Sequence, residues 1–186
     1  MASHARVTVV RYASVAALVA VVACGGPDRA VAQAIPKSQL ATVTQNVGPA
    51  HIEVVYRRPV ARGRTIWGTL VPYGHMWTPS ADSAARFTVS APVTINGQAL
   101  PAGGYAIWII PDSTSWTVIF SSTASVFHLR YPEGKDVLRV QAAPVAADHA
   151  ETLLFDFPMV DADSALLQIR WGKTAVPVMI RAPRAP

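Results

Sequence analysis

Short alternating segments separated by turn residues constrain the fold of this chain more than any other feature. In residues 51–56, the side chains of Ile52, Val54 and Tyr56 fall on one face of a strand. Similar segments recur at spacings of ~8–12 residues, at residues 87–89, 93–95, 98–100, 105–110, 116–120, 137–140, 153–157, 166–171 and 174–180. No segment has a convincing helical period. The pattern predicts an all-β domain, a single antiparallel, jelly-roll-like β-sandwich of about nine or ten strands.

Turn signals refine this prediction. Asn96-Gly97 lies between two short alternating segments, and it predicts a hairpin because a type I′ turn requires two residues at positive φ. Gly172-Lys173 predicts a second tight turn between the last two segments. Pro177 removes a backbone donor, so we expect the last strand to lie at an edge of its sheet.

The N-terminus has the pattern of an export signal. Residues 1–11 carry His4, Arg6 and Arg11 without an acid, and residues 12–23 are uniformly apolar or small. This run is shorter than the ~20 apolar residues that span a bilayer. We therefore predict an exported protein, either periplasmic or a membrane-anchored lipoprotein.

Two cleavage sites compete within this leader. The run that ends at Cys24 is similar to a bacterial lipobox, in which the cysteine is lipidated, whereas Ala30-Val31-Ala32 would direct ordinary cleavage before Gln33. We predict lipidation at Cys24, with an export signal over residues 1–24, a linker over residues 25–38 and the β-sandwich over residues 39–182. The only membrane association expected is through this anchor.

Composition limits the chemistry of the mature domain. Cys24 is the only cysteine, so the mature domain has no disulfide and no thiol chemistry. Arg6 and Arg11 belong to the leader, and without them the formal charge of +5 falls to +3, from 14 basic and 11 acidic residues. That excess is small and is not concentrated in a block, which argues against nucleic-acid binding.

Residues 58–79 lack a regular period and are interpreted as one long ordered loop, with a short helical turn near residues 66–70. A loop of this length in a compact domain is usually functional or disordered. Trp67, Tyr73 and Trp77 favour order, because large aromatic side chains bury much area when packed.

Four arginines, Arg57, Arg58, Arg62 and Arg64, lie within or beside this loop. The guanidinium fork suits carboxylates and phosphates, so the cluster suggests an anion-binding loop. The alternative is that Arg58 and Arg64 pin the loop by donating to backbone carbonyls and to acids such as Asp82.

The aromatic side chains of Trp67, Tyr73, Trp77 and Trp108 also have two interpretations. Exposed, they would form a platform that stacks on sugar rings; buried, they would form a packed lid over one end of the sandwich. Trp116 and Trp171 alternate with core residues and are predicted to be structural.

His75, Asp82 and His128 are the candidates for acid–base chemistry, with His75 and Asp82 as a weak catalytic pair. The chain has no HExxH or GxSxG motif, and no pair of histidines has metal-ligand spacing. We therefore predict no metal site and no cofactor.

Several segments together resemble the bacterial domain-of-unknown-function family 2911, from about Gln39 to Ile180. The matching strings are Tyr56-x-Arg58-Pro59, Gly63-Arg64-x-Ile66-Trp67-Gly68-x-Leu70-Val71-Pro72-Tyr73-Gly74-x-x-Trp77, Asn96-Gly97-x-x-Leu100-Pro101-Ala102-Gly103-x-Tyr105, and Trp116-Thr117-Val118-Ile119-Phe120. The resemblance implies an exported or lipoprotein-like β-sandwich and no established activity.

The chain departs from the family pattern at two places. Relatives usually carry Arg-Thr-Gly-Ala-Asn-Glu-Ala where residues 78–84 read Thr-Pro-Ser-Ala-Asp-Ser-Ala, so any ligand bound by that turn in relatives is expected to differ here or to be absent. Relatives often have a tryptophan-glycine pair where this chain has Phe127-His128-Leu129.

The residues favour a non-catalytic binding module for an anionic or hydroxyl-rich small ligand or glycan. Its predicted contacts are Arg58, Arg64, Tyr73, His75, Trp77 and Asp82. Two alternatives remain open: a hydrolase or isomerase that uses His75 and Asp82 for proton transfer, and a purely structural envelope lipoprotein.

Overall fold

The computed structural model describes residues 35–183. The predicted export signal, Cys24 and residues 25–34 of the predicted linker lie outside the described residues. Across the described part of the chain, no helix is long and apolar enough to cross a membrane.

The described residues form ten strands in two antiparallel sheets, which confirms the predicted all-β sandwich. The strands are β1 (Gln39–Val47), β2 (Ala50–Arg58), β3 (Ala85–Val89), β4 (Val93–Ile95), β5 (Gln98–Leu100), β6 (Gly103–Ile110), β7 (Trp116–Ser121), β8 (Asp136–Ala142), β9 (Val145–Val160) and β10 (Ser164–Arg181). One sheet has the order β1-β2-β3-β6-β7-β8, and the other has the order β5-β4-β10-β9.

One apolar core lies between the two sheets. The predicted inward face of β2 is buried, and Phe87 of β3 packs against Phe120 of β7 with ring centroids 5.1 Å apart. Tyr56 links the sheets directly: its hydroxyl accepts a 3.0 Å hydrogen bond from the backbone N–H of Phe155 on β9. This bond satisfies a polar group that would otherwise be buried without a partner.

The Asn96-Gly97 hairpin is confirmed. Both residues have positive φ, 46° and 83°, and they join β4 to β5 as a type I′ turn requires. The Asn96 side chain also accepts a 2.7 Å hydrogen bond from the backbone N–H of Met179 on β10, which fixes the hairpin against its neighbour.

Two predictions about the last strand are wrong. Gly172-Lys173 is not a tight turn, because β10 runs continuously from Ser164 to Arg181 and absorbs Gly172, at φ 59°, as an irregularity in its pairing with β9. Nor is β10 an edge strand, since β4 and β9 flank it. The register with β9 ends at Ala175 and that with β4 begins at Ile180, so Pro177 lies between the two paired segments, where its missing N–H costs no ladder bond.

Sequence periodicity did not single out β1. This strand lies at an edge of its sheet, and along it only Val47 is buried. An edge strand that buries so little carries a weak apolar alternation, which explains why periodicity did not reveal it.

The β2–β3 loop, residues 59–84, is ordered and attached to both sheets. Ala61 donates a 2.8 Å backbone hydrogen bond to Glu151 of β9, while Trp77 and Ile109 of β6 exchange two bonds of 2.8 and 2.7 Å. The predicted helical turn near residues 66–70 is absent, because Val71 bonds to Ile66 across five residues instead of four.

Candidate functional site

Four tryptophans meet where the β2–β3 loop covers the sandwich. Trp67 contacts Trp116, Trp77 and Trp171, with ring centroids 4.6, 5.7 and 6.2 Å away, and Trp77 stacks on Trp171 at 6.1 Å. Trp116 and Trp171 are buried, as predicted for structural residues. The cluster joins the loop to β7 and β10, and of the four aromatic residues of the predicted lid it contains only Trp67 and Trp77.

The indole N–H groups of Trp67, Trp116 and Trp171 differ in whether they have a hydrogen-bond acceptor. Trp116 donates to the carbonyl of Asp112 at 2.6 Å, and Trp171 donates to the carbonyl of Glu151 at 3.3 Å. The N–H of Trp67 is buried and has no partner among the described residues. An unsatisfied buried donor costs about 1–3 kcal/mol, so the packing of the Trp67 ring has to outweigh this cost.

Beside the cluster lies a cleft of about 270 Å³, called here the apolar cleft. Its walls are mostly hydrophobic and come from the β2–β3 loop, from β10 and from the segment that follows β7. The lining residues are Pro59, Arg64, Leu70, Val71, Trp77, Thr78, Ser80, Ala81, His128, Leu129 and Trp171. Leu129 at the rim is 78% exposed, so its apolar side chain is accessible to a ligand in the cleft.

Arg64 is held rigidly at this cleft. Arg62 and Gly63, at φ 54° and 69°, form a type I′ turn closed by a 3.2 Å bond from the N–H of Arg64 to the carbonyl of Ala61. The Arg64 guanidinium then donates to the carbonyls of Ala61 and Val60, both at 2.8 Å. Its Nη1 makes no hydrogen bond within residues 35–183, so Arg64 both pins the loop and retains an open donor.

His128 contributes a second donor. Its Nδ1 accepts a 2.7 Å hydrogen bond from the backbone N–H of Asp82, and the backbone N–H of His128 donates to the Asp82 carbonyl at 3.3 Å. Because Nδ1 accepts, the neutral ring carries its proton on Nε2, which has no partner in the described part of the chain. His128 lines the apolar cleft, so its ring adds a second unpaired N–H to the lining.

The polar side chains of Thr78 and Ser80 are buried, and both form hydrogen bonds. The Thr78 hydroxyl donates to the carbonyl of Ile107 at 2.7 Å and accepts from the N–H of Ala85 at 3.1 Å. The Ser80 hydroxyl accepts from the N–H of Arg57 at 2.9 Å. These two side chains support the cleft by fixing backbone and leave the open donors to Arg64 and His128.

The structure brings together only some of the predicted site residues. Arg64 and Trp77 line the apolar cleft, whereas Arg58 is half-buried and donates to the carbonyl of Leu153 at 3.2 Å. The Asp82 carboxylate lies 3.4 Å from Arg57, so Arg57 makes the acid contact expected of Arg58 or Arg64.

Tyr73 belongs to a separate cavity of about 270 Å³ that also contains Trp67, Trp116 and Asp112. Tyr73 and Trp77 therefore do not form one stacking surface. Hydrogen bonds from the backbone N–H of Thr114 and the hydroxyl of Ser113 lower the pKa of Asp112, so the folded state favours its carboxylate form.

His75 is exposed, and within residues 35–183 no hydrogen bond or ion pair joins it to Asp82. Trp108, offered above as part of an aromatic platform, is buried on the other face of its sheet and packs against Tyr131 at 5.4 Å. Among the described residues, no group of three or more His, Cys, Asp or Glu side chains is placed to hold a metal ion.

Sequence reasoning overlooked the apolar part of the site. Pro59, Leu70 and Leu129 carry no chemical signature, and only the fold brings them to one cleft. The exposed apolar pair Phe127 and Leu129, around His128, was the available signal in the sequence.

Fold and site together define a class: an antiparallel β-sandwich whose ordered loop and tryptophan cluster border a small cleft. Residues 38–180 match the sequence model of the family described as "Protein of unknown function (DUF2911)", and the chain belongs to this family. Comparison with curated proteins and with solved structures yielded no match.

Proposed function

We propose that this domain is a non-catalytic binding module and that the apolar cleft is its ligand site. The ligand is a small molecule with an apolar body and an anionic or hydroxyl-rich head. The observation that carries the proposal is the pair of open donors, Nη1 of Arg64 and Nε2 of His128, at a cleft whose walls are otherwise largely hydrophobic.

The shape of the cleft supports this class of ligand. Binding pockets are typically apolar, with a few placed polar groups that fix orientation, and they span about 300–1,000 Å³ for drug-sized molecules. A volume of about 270 Å³ suits a smaller ligand. Both donors are anchored through other atoms of the same side chain, so little conformational entropy is lost when they engage an acceptor.

The two alternative functions have weaker support. Proton transfer by His75 and Asp82 lacks a contact between them, and the Asp82 carboxylate is engaged by Arg57. A purely structural role accounts for the tryptophan cluster but leaves the open donors of the neighbouring cleft without a purpose.

A series of straight-chain carboxylates tests the proposal, with the matching primary amides and alkanes as probes of the head group. Bound ligand raises the free energy of unfolding by RT ln(1 + [L]/Kd), about 2.7 kcal/mol at a hundredfold excess over Kd. We expect the carboxylates to raise the melting temperature most and the alkanes least.

His128→Asn is the informative variant, because its side-chain oxygen replaces Nδ1 as acceptor while the Nε2 donor is lost. We expect it to fold normally and to bind the carboxylates about tenfold more weakly, the loss of roughly one charge-assisted hydrogen bond. Equal binding by wild type and His128→Asn, or no binding across the series, contradicts the proposed site.

We also propose that the protein is exported and anchored through a lipid on Cys24. The leader pattern supports this location, because a single cysteine ends the apolar run. Mass spectrometry of the mature N-terminus is expected to find acylated Cys24, and an unmodified terminus at Gln33 contradicts the anchor.

A further inference from the structure

A second cavity, of about 440 Å³, lies on the other side of Arg64 from the apolar cleft. Its lining differs in character, because it includes Arg64, Lys173, His149, Glu151, Gly63 and Trp67. We call it the cationic groove. Apart from Arg64, it shares none of these residues with the apolar cleft.

Two cationic side chains in the groove, Lys173 and Arg64, have donor atoms that are free to bind a ligand. Lys173 is exposed and forms no ion pair or hydrogen bond within residues 35–183, and it also borders the cavity of Tyr73. Arg64 is fixed by its two carbonyl contacts, which leave Nη1 open. A preorganised guanidinium and a free ammonium that line one cavity are suited to bind phosphate oxygens.

The backbone adds a third donor. Gly63 sits at the second central position of the type I′ turn, and its N–H makes no hydrogen bond in the described part of the chain. The side chains of Arg64 and Lys173 and the amide of Gly63 thus give three separate donors at one groove.

The single acid of the groove is already occupied. One oxygen of Glu151 accepts a 2.5 Å hydrogen bond from the backbone N–H of Arg62, and the other lies 3.1 Å from Nε2 of His149. The bond with His149, and then the bond with the backbone of Arg62, lower the pKa of Glu151. The folded state therefore favours the carboxylate, which is bonded to both partners. With Arg64 and Lys173 both charged, the groove keeps an excess of positive charge.

We propose that the cationic groove is a binding site for a phosphate monoester group, held by Lys173, Arg64 and the backbone N–H of Gly63. The groove is larger than a phosphate ion, so it has room for part of the molecule that carries the group. The site shares Arg64 with the apolar cleft, but it also rests on Lys173 and Gly63, which the cleft does not contain.

The test uses isothermal titration calorimetry on the purified exported protein, with sodium phosphate as the probe and sodium chloride at equal ionic strength as the reference. Lys173→Ala removes the unpaired ammonium, and Lys173→Gln keeps the length of the side chain without its charge. Lys135→Ala is the matched control, because Lys135 is also exposed and contributes only backbone atoms to hydrogen bonds.

We expect phosphate to bind wild type and Lys135→Ala equally, and to bind both Lys173 variants about tenfold more weakly or worse, the cost of one charge-assisted contact. His128→Asn is expected to bind phosphate as wild type does, which separates this site from the apolar cleft. Measurable binding of phosphate with equal affinity in wild type and the Lys173 variants overturns the proposal.

A second arm identifies the source of the group. Phosphatidylcholine vesicles with and without phosphatidic acid present the same monoester on a lipid, and their capture is measured by co-sedimentation. Lys173-dependent capture by phosphatidic acid without binding of free phosphate assigns the groove to a lipid headgroup, and the reverse assigns it to a soluble ligand. Dependence on Lys173 in neither arm overturns the site.

Discussion

The backbone N–H of Asp82 donates a 2.7 Å hydrogen bond to Nδ1 of His128, so the β2–β3 loop is fastened to the segment that follows β7. Ser83 and Phe127 form a bridge beside this bond. The partner of Asp82 is therefore His128, through the backbone, and the contact both closes one wall of the apolar cleft and fixes the tautomer that faces it.

Removal of this contact is expected to lower stability. His128→Ala should reduce the free energy of unfolding by about 1 kcal/mol, the net value of one hydrogen bond, whereas His128→Asn should retain most of it. Urea denaturation provides the measurement, and His75→Ala is the control because His75 is exposed. Equal losses in His128→Ala and His75→Ala would show that the bond contributes nothing.

Arg64 should matter for stability before any ligand is added. Arg64→Ala loses two 2.8 Å bonds to the carbonyls of Ala61 and Val60, and we expect a loss of about 1–2 kcal/mol. Arg130→Ala, an exposed loop arginine whose side chain has no partner within the described residues, should stay within about 0.5 kcal/mol of wild type. An unchanged melting temperature for Arg64→Ala would refute the pinning role.

Gly172 is required for two reasons that separate experimentally. A Cβ there would lie 2.9 Å from Cδ1 of Ile66, and the backbone is at φ 59°; at Gly134 the φ is 71°, but no atom lies within 4 Å of the added Cβ. Gly134→Ala should cost about 1 kcal/mol for the backbone alone, and Gly172→Ala should cost more.

The double variant Gly172→Ala with Ile66→Val isolates the clash. Loss of Cδ1 from residue 66 should relieve part of the added cost, which appears as a coupling energy in a double-mutant cycle. Strict additivity of the two changes would mean that the close approach carries no strain.

The free energy of unfolding is predicted to fall more on loss of the Thr78 hydroxyl than on loss of its methyl group. Thr78→Val leaves the carbonyl of Ile107 and the N–H of Ala85 without their partner in a buried place, at a cost of about 2–3 kcal/mol. Thr78→Ser keeps both bonds and should lose less than half as much. Thermal or urea unfolding of the pair decides the matter, and equal losses would point to packing as the cause.

Glu151 should make stability depend on acid pH. Its pKa is lowered from 4.5 by the bonds from His149 and Arg62, so the folded state favours the carboxylate. The resulting stabilisation is present above the ordinary pKa and is lost as the pH falls through the lowered one. The free energy of unfolding of Glu151→Gln should therefore lie below that of wild type at about pH 6, and the difference should shrink as the pH falls to about 3.

The control for this pH series is Glu133→Gln, because Glu133 is exposed and its side chain has no hydrogen bond within the described residues. The difference in free energy of unfolding between Glu133→Gln and wild type should not vary with pH over the same range. If the difference between Glu151→Gln and wild type is also constant with pH, the prediction is contradicted.

Local patterns predicted the fold because strand alternation and the Asn96-Gly97 turn depend on nearby residues. The same reasoning failed at Gly172, where the glycine serves a positive φ within a continuous strand and the close approach of Ile66, a residue more than one hundred positions away in the chain. A glycine can be required by a tertiary contact of this kind or by a tight turn. The sequence alone does not distinguish these two causes.

The site was predicted in part for a similar reason. The arginines and tryptophans of the loop carry a chemical signature, and Arg64 and Trp77 do reach the apolar cleft. The pairing of His128 with Asp82 joins positions 46 residues apart, and the choice between His75 and His128 depends on which loop packs beside the other. Lys173 and His149 reach the cationic groove only through the sheet register of β9 and β10.

The tryptophan cluster has a consequence for how this protein is studied. Four of its five tryptophans touch one another at a single end of the sandwich, two on the loop and two on the sheets. Indoles this close share excitation energy, so near-ultraviolet circular dichroism and intrinsic emission are dominated by one small region. The chain thus carries a built-in optical probe beside both proposed sites, and occupancy of either one can be followed without a dye.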